Sequence, residues 1–167
     1  ELDQLYPSDY FDTTASIGYV DYAREAQRRA REAYFLARYL RKQGVSLRVL
    51  EVGCALGFFL SALRDEGIEV QGVDTSPFAA YFARTRFGLS IHQGTLEDAN
   101  FTSESFDFVV QKDLLEHVLN PRQHLLDTYR VMRPGAKLYL VTPNGEANLR
   151  PLIALQRKNY SESNDLP

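Results

Sequence analysis

Glu51, Gly53, Ala55 and Gly57 stand at alternate positions, and a second acid, Asp74, lies twenty-one residues after Gly53. An apolar pair precedes Glu51, while Phe58, Phe59, Leu60 and Leu63 follow Gly57 with helical spacing. A short strand that breaks into a glycine turn and then a helix is a ligand cradle. Glycine takes backbone angles that strain other residues, and its missing side chain lets a ligand lie against the main chain. A carboxylate at the tip of the next strand, about 20 residues on, is where α/β nucleotide folds hold ribose hydroxyls. Together the two features imply a nucleoside-bearing cofactor.

Spacing narrows the choice. A dinucleotide fingerprint counted from Gly53 needs glycine at positions 55 and 58, where Ala55 and Phe58 stand. A phosphate-binding P-loop is excluded, because no Gly-Lys-Ser/Thr follows the turn. A second constellation, Asp113, Glu116 and His117, carries groups able to move protons. The three-residue spacing predicts Asp113 and Glu116 on one helix face, with His117 beside them. Histidine titrates near neutrality, so His117 suits deprotonation of an acceptor. His92 and His124 read as a strand residue and a surface helix residue, without a role.

The elements that must position these groups alternate between strand and helix. Residues 1–18 read as irregular. A helix is expected over 19–43, because Ala33, Leu36, Ala37 and Leu40 recur at helical spacing. It directs Arg24, Arg28, Arg31, Arg38 and Arg41 mostly outward as a solvated face and stops at Gly44. Strands are expected at 48–52, 70–73, 90–92, 106–111 and 137–141. The intervening helices span about 56–66, closed by Gly67, and 76–86, capped by Ser76-Pro77 and stopped by Gly88. The next opens at Asn120-Pro121 and runs through Leu125, Tyr129 and Met132 to Pro134-Gly135. Such alternation argues an α/β, doubly wound, mostly parallel sheet with helices on both faces. Ligands in such sheets sit beyond the carboxyl ends of the strands, where Gly53, Asp74 and Lys112 all fall.

The pattern Glu51-x-Gly53-x-Ala55-x-Gly57 resembles the E/D-x-G-x-G-x-G signature of class I S-adenosylmethionine-dependent methyltransferases, with Ala55 for the middle glycine. The likeness continues in order over 45–143. The stretch 106–118 (FDFVVQKDLLEHV) is similar to that family's fourth-strand signature and 131–140 (VMRPGAKLYL) to its fifth, before Thr142-Pro143-Asn144. The resemblance implies a Rossmann-like fold, S-adenosyl-L-methionine as cofactor (product S-adenosyl-L-homocysteine) and a small-molecule acceptor. It places Glu51, Gly53, Cys54, Ala55, Gly57 and Phe58 around the methionine end, and Asp74 with Thr75 at the ribose. It sets Thr95 and the Leu96 backbone in the adenine pocket, where many relatives carry an acid at 95. Gln111 or Lys112 would offer a main-chain carbonyl to the cofactor's amino group.

The same resemblance leaves three readings of 113–117. Asp113, Glu116 and His117 resemble the acid-x-x-Glu-His cluster of ubiquinone-pathway O-methyltransferases, which holds a divalent ion and would suit Mg²⁺. His117 is alternatively a general base, or the segment caps a helical turn. The expectation drawn is catalytic His117 and Asp113, with no metal. The aromatic leader (Tyr6, Tyr10, Phe11, Tyr19, Tyr22) reads either as a lid over the cofactor or as packing. The resembled fold ends in two further strands, for which the sequence after 143 has no candidate. A helical segment (Leu152, Ile153, Leu155) and a polar tail stand there instead, so the chain reads as truncated. Its expected parts are a leader and helix (1–44), a cofactor-binding core (45–143) and a C-terminal segment (144–167). The rival reading is a catalytically incomplete cofactor-binding or interaction module.

Composition bounds these readings. At 167 residues and 44% hydrophobic the chain has the material for one domain with a substantial core. A net charge of −3 without a basic block argues against nucleic acid. No apolar run reaches membrane-span length and no signal-peptide pattern opens the chain, so no membrane partner is expected. The single Cys54 forms no internal disulfide, which fits a reducing cytoplasm. Oligomeric state is left open, a homodimer included.

Overall fold

The computed structural model describes residues 22–42 and 47–143. The expected leader, the Gly44 stop, Asn144 and the segment with Leu152, Ile153 and Leu155 lie outside the described residues, as do the side chains of Tyr22 and Arg24. Five parallel strands form one sheet in the order β3-β2-β1-β4-β5. They are β1 (Arg48–Val52), β2 (Glu69–Asp74), β3 (Ile91–Gln93), β4 (Phe106–Lys112) and β5 (Met132–Val141). Four helices connect or precede them: α1 (Tyr22–Arg41), α2 (Phe58–Asp65), α3 (Pro77–Phe87) and α4 (Pro121–Val131). β1 pairs with β2 on one side and β4 on the other, so the chain reverses its winding there. The doubly wound α/β fold expected from the alternation is the fold observed.

The two faces of the sheet are built differently. On the first, Val49, Phe108 and Val110 lie under Ala33, Ala37 and Leu40 of α1 and under Phe59 and Leu63 of α2. Small residues at 33 and 37 let α1 approach closely, and each buried Leu or Phe contributes about 1.5–3 kcal/mol of transfer free energy. Further along, Leu60 of α2 and Ala80 and Ala83 of α3 pack with Leu89, Ile91 and Cys54. Arg28, Arg31, Arg38 and Arg41 of α1 are exposed, as their spacing predicts. On the second face, Leu50, Val52, Val73 and Val109 pack against Leu96 and against Val131 of α4.

Helix α3 begins and ends as read: the Ser76 hydroxyl accepts from the Ala79 N–H at 3.2 Å, and Gly88 turns left-handed at φ +65°. The α4–β5 junction differs. The helix stops at Val131, and the strand starts at Met132 instead of 137. Pro134-Gly135 is absorbed into it, beside a register irregularity opposite Phe106 and Phe108. β5 is the outer strand of the described sheet, where a proline costs no ladder bond. The inward residues of α4 are His124, Thr128 and Val131, whereas Leu125, Leu126 and Tyr129 (78% exposed) face out. His124, expected at the surface, is therefore buried. Its turn is set by a polar contact that hydrophobic patterning does not register. The Gln111 amide donates to the Thr128 hydroxyl at 2.8 Å, and that hydroxyl donates to the His124 carbonyl at 2.8 Å. No described helix is long and apolar enough to cross a membrane.

Candidate functional site

The alternating glycine pattern is a pattern of backbone angles. Gly53, Ala55 and Gly57 all have positive φ, at +76°, +47° and +77°. The turn is pinned to β2, because the N–H groups of Gly53 and Cys54 both donate to the Val73 carbonyl, at 2.8 and 3.1 Å. Ala55 adopts the left-handed region without being glycine, at a cost of about 1–2 kcal/mol. The missing side chains also serve the protein's own packing. A Cβ on Gly53 would stand 3.2 Å from Leu114 Cδ1. One on Gly57 would stand 2.7 Å from Leu89 Cδ1 and 2.9 Å from Ala83 Cβ. The room these glycines provide is thus filled by Leu114, Leu89 and Ala83, and their main chain is what faces the cavity.

That cavity, about 510 Å³, opens over the carboxyl ends of β1, β2 and β4. Its wall includes Glu51, Gly53, Cys54, Ala55, Gly57 and Phe58, then Asp74 and Thr75, then Thr95, Leu96 and Lys112. Gln111 does not line it: fully buried, it turns to the opposite face of the sheet to meet Thr128. The alternation along β4 sends the side chains of 111 and 112 to opposite faces, and that of Lys112 lies on the side of Glu51.

Asp74 is fixed on both oxygens. Oδ2 accepts from the Ala55 N–H at 2.7 Å and Oδ1 from the Ser76 N–H at 2.9 Å. Burial raises its pKa, and these two N–H groups oppose the rise. A carboxylate has about four lone-pair sites, so two remain for a diol at the cavity.

A charged cluster closes one end. Glu51, 3% exposed, places Oε1 3.4 Å from Lys112 Nζ, while its Oε2 is buried with no hydrogen-bond partner. Lys112 Nζ also lies 3.1 Å from Glu32 Oε2 and 3.6 Å from the centre of the Phe59 ring. Arg29, in the same wall, is 3.5 Å from Glu32. Burial drives the Glu51 pKa up from 4.5 to about 7, against the opposing pull of Lys112 and Arg29. Sequence reasoning passed over Arg29 and Glu32. The signal was available: Arg29 stands four residues before Ala33, on the inward stripe of α1.

The opposite end is polar. Thr95 turns in on its own loop, its N–H and hydroxyl both donating to Asp98 Oδ2, at 3.1 and 2.7 Å. The carboxylate in the wall there is Glu97, 3.5 Å from Nδ1 of the buried His124. Asn120 and Gln123 complete that end.

The 113–117 cluster is not laid out as expected. Asp113 has φ +51° and precedes a single 3-10 turn, Leu115–His117. It therefore shares no helix face with Glu116. Asp113 and His117 line the cavity, whereas the Glu116 carboxylate accepts the Thr142 hydroxyl at 3.1 Å. Among the described residues no three His, Cys, Asp or Glu side chains gather as a metal-ligand group.

The chain is similar to known methyltransferases. The ubiquinone biosynthesis O-methyltransferase of Hahella chejuensis is 35% identical over 103 residues, which cover 58% of this chain and 43% of that protein. The same-named protein of Cereibacter sphaeroides is 31% identical over 103 residues, covering 59% and 42%. The chain spans less than half the length of these curated relatives. An S-adenosylmethionine-dependent methyltransferase from Archaeoglobus fulgidus superposes with a TM-score of 0.53 at 25% identity, over 75% of this chain and 60% of that one. Residues 22–163 match the Methyltransferase domain family, and over that span the chain belongs to it.

Proposed function

We propose that this chain binds S-adenosyl-L-methionine in the cavity over β1, β2 and β4 and transfers its methyl group to a small-molecule acceptor. The observation that carries the reading is the pairing of a fixed Asp74, with lone pairs to spare, and a buried Glu51 oxygen that lacks a partner in the same cavity wall. One suits a ribose diol, and the other suits an ammonium group. When bound, the cofactor supplies a methyl group already activated on a sulfonium.

The work left to the protein is alignment and exclusion of water. Main-chain groups of the 53–57 turn would flank the amino-acid end, and Asp74 with Thr75 the ribose. The base would lie towards Thr95 and Leu96, with the Glu97 carboxylate nearby. Asp113 and His117, exposed at the cavity rim, face the space left for an acceptor. His117 would accept a proton where the acceptor carries one at neutral pH. The relatives named for ubiquinone biosynthesis support an oxygen acceptor, with nitrogen and carbon as the other options.

Titration calorimetry of the folded chain against S-adenosylmethionine and S-adenosylhomocysteine tests the reading. Micromolar binding of both is expected. No heat with either ligand overturns it.

A further inference from the structure

We infer that Lys112 is a positioning residue for an amino-acid zwitterion: it holds Glu51 as the carboxylate that receives the ligand's ammonium group. The inference rests on the proposed cofactor reading and deepens it. Lys112 ends β4 with its side chain 6% exposed. Its three N–H donors meet groups from three elements: Glu51 of β1, Glu32 of α1 and the Phe59 ring of α2. A cation does not pair with a ligand's ammonium group, so the effect of Lys112 on that group passes through Glu51.

Glu51 has the complementary peculiarity. One oxygen faces Lys112, and the other is buried without a partner. A buried unpartnered carboxylate oxygen is costly, and a native fold keeps one where something else completes it. The surrounding charges are Lys112, Arg29 and Asp74, with Glu32 behind Lys112. Lys112 is the largest of the influences that keep Glu51 ionised against burial. What an anionic oxygen in a cavity wall accepts best is a cationic N–H donor. Arg29, paired with Glu32, lines the same wall. The recognised class is thus an α-amino-acid end, and Lys112 acts as the internal counter-ion that keeps its receptor charged.

The test compares two probes on the intact chain by calorimetry. S-adenosylhomocysteine carries the zwitterion, and 5′-methylthioadenosine keeps the nucleoside thioether but lacks it. Lys112→Met is expected to weaken S-adenosylhomocysteine at least tenfold at pH 7 while shifting methylthioadenosine less than twofold. The loss should widen towards pH 6, where Glu51 without its counter-ion protonates more readily. Glu51→Gln should show the same split, and adding Lys112→Met to it should cost nothing further. Lys112→Arg should restore most of the affinity. Equal losses for both probes, or none for either, overturn the inference and mark Lys112 as purely structural. Should Lys112→Met not fold, Lys112→Gln takes its place in the same comparison. If the wild type binds the two probes equally well, the inference fails while the cofactor reading stands. If it binds neither, both fail.

Discussion

Both faces of the sheet carry an apolar core, but they differ in what is packed around it. Under α1, α2 and α3 the first face buries alanine, leucine, valine and phenylalanine and brings helices close through glycine and alanine. Under α4 the second face keeps a buried polar chain, Gln111–Thr128–His124, and turns Leu125, Leu126 and Tyr129 outward. The cavity lies where the two meet, at the carboxyl ends of the strands. The first face supplies the turn, Asp74 and the Glu51–Lys112 pair. The second supplies Glu97 and His124. Close packing on one side and a buried polar chain on the other are therefore separable, and mutations should separate them.

The largest expected effect is on the first face. Gly57→Ala adds a Cβ at 2.7 Å from Leu89 and 2.9 Å from Ala83 on a residue at φ +77°. Left-handed strain and overpacking add, for a loss of about 3 kcal/mol. Urea unfolding measures it, and a loss below about 1 kcal/mol would mean that the face yields more easily than its packing implies.

Glu51 is the exception on that face, a buried carboxylate held beside Lys112. Its folded pKa of about 7 lies above the ordinary 4.5. Between those values the folded chain holds a proton that the unfolded chain has released. Stability should therefore fall as pH rises through that window, by at most about 3 kcal/mol, and level off above it. Glu51→Gln should flatten the slope, measured as urea midpoints at pH 5 and pH 8. An unchanged slope would show that Lys112 and Arg29 keep Glu51 ionised throughout.

The same contrast explains what the sequence made legible. The doubly wound parallel sheet follows from strand–helix alternation, and the 53–57 turn from its spacing. Asp74 followed from its place at a strand tip. Arg29 was harder, because a charged side chain on an inward stripe is invisible to a count of apolar positions. His124 was misread for the converse reason. Periodicity placed Leu125 and Tyr129 in the helix without fixing which face was buried, and the Gln111–Thr128 bond decided it. Asp113 and Glu116 looked like helix neighbours until a left-handed residue at 113 separated them.

On the second face the test is polar. Thr128→Val removes the acceptor of the fully buried Gln111 amide, whose Oε1 already lacks a partner. Leaving that amide unsatisfied should cost about 2 kcal/mol. Adding Gln111→Met removes both partners and should recover most of the loss, because a matched apolar pair carries no desolvation penalty. A double variant no more stable than the single one would mean that the face depends on these polar atoms for shape as well as for pairing.

The smallest effect belongs to the turn between the faces. Ala55 sits at φ +47°, where an alanine Cβ crowds the following carbonyl, yet its N–H holds Asp74 at 2.7 Å. Glycine there relieves the crowding but gives the unfolded chain more freedom, and the two effects partly cancel. Ala55→Gly should therefore stabilise the chain by about 1 kcal/mol or less, read as a small rise in urea midpoint. If alanine is retained to stiffen the turn, S-adenosylhomocysteine should bind the stabilised variant slightly more weakly, because a looser 53–57 segment presents the Asp74 contact in fewer of its conformations. Tighter binding by the variant would instead mark Ala55 as a strain that the ligand has to overcome.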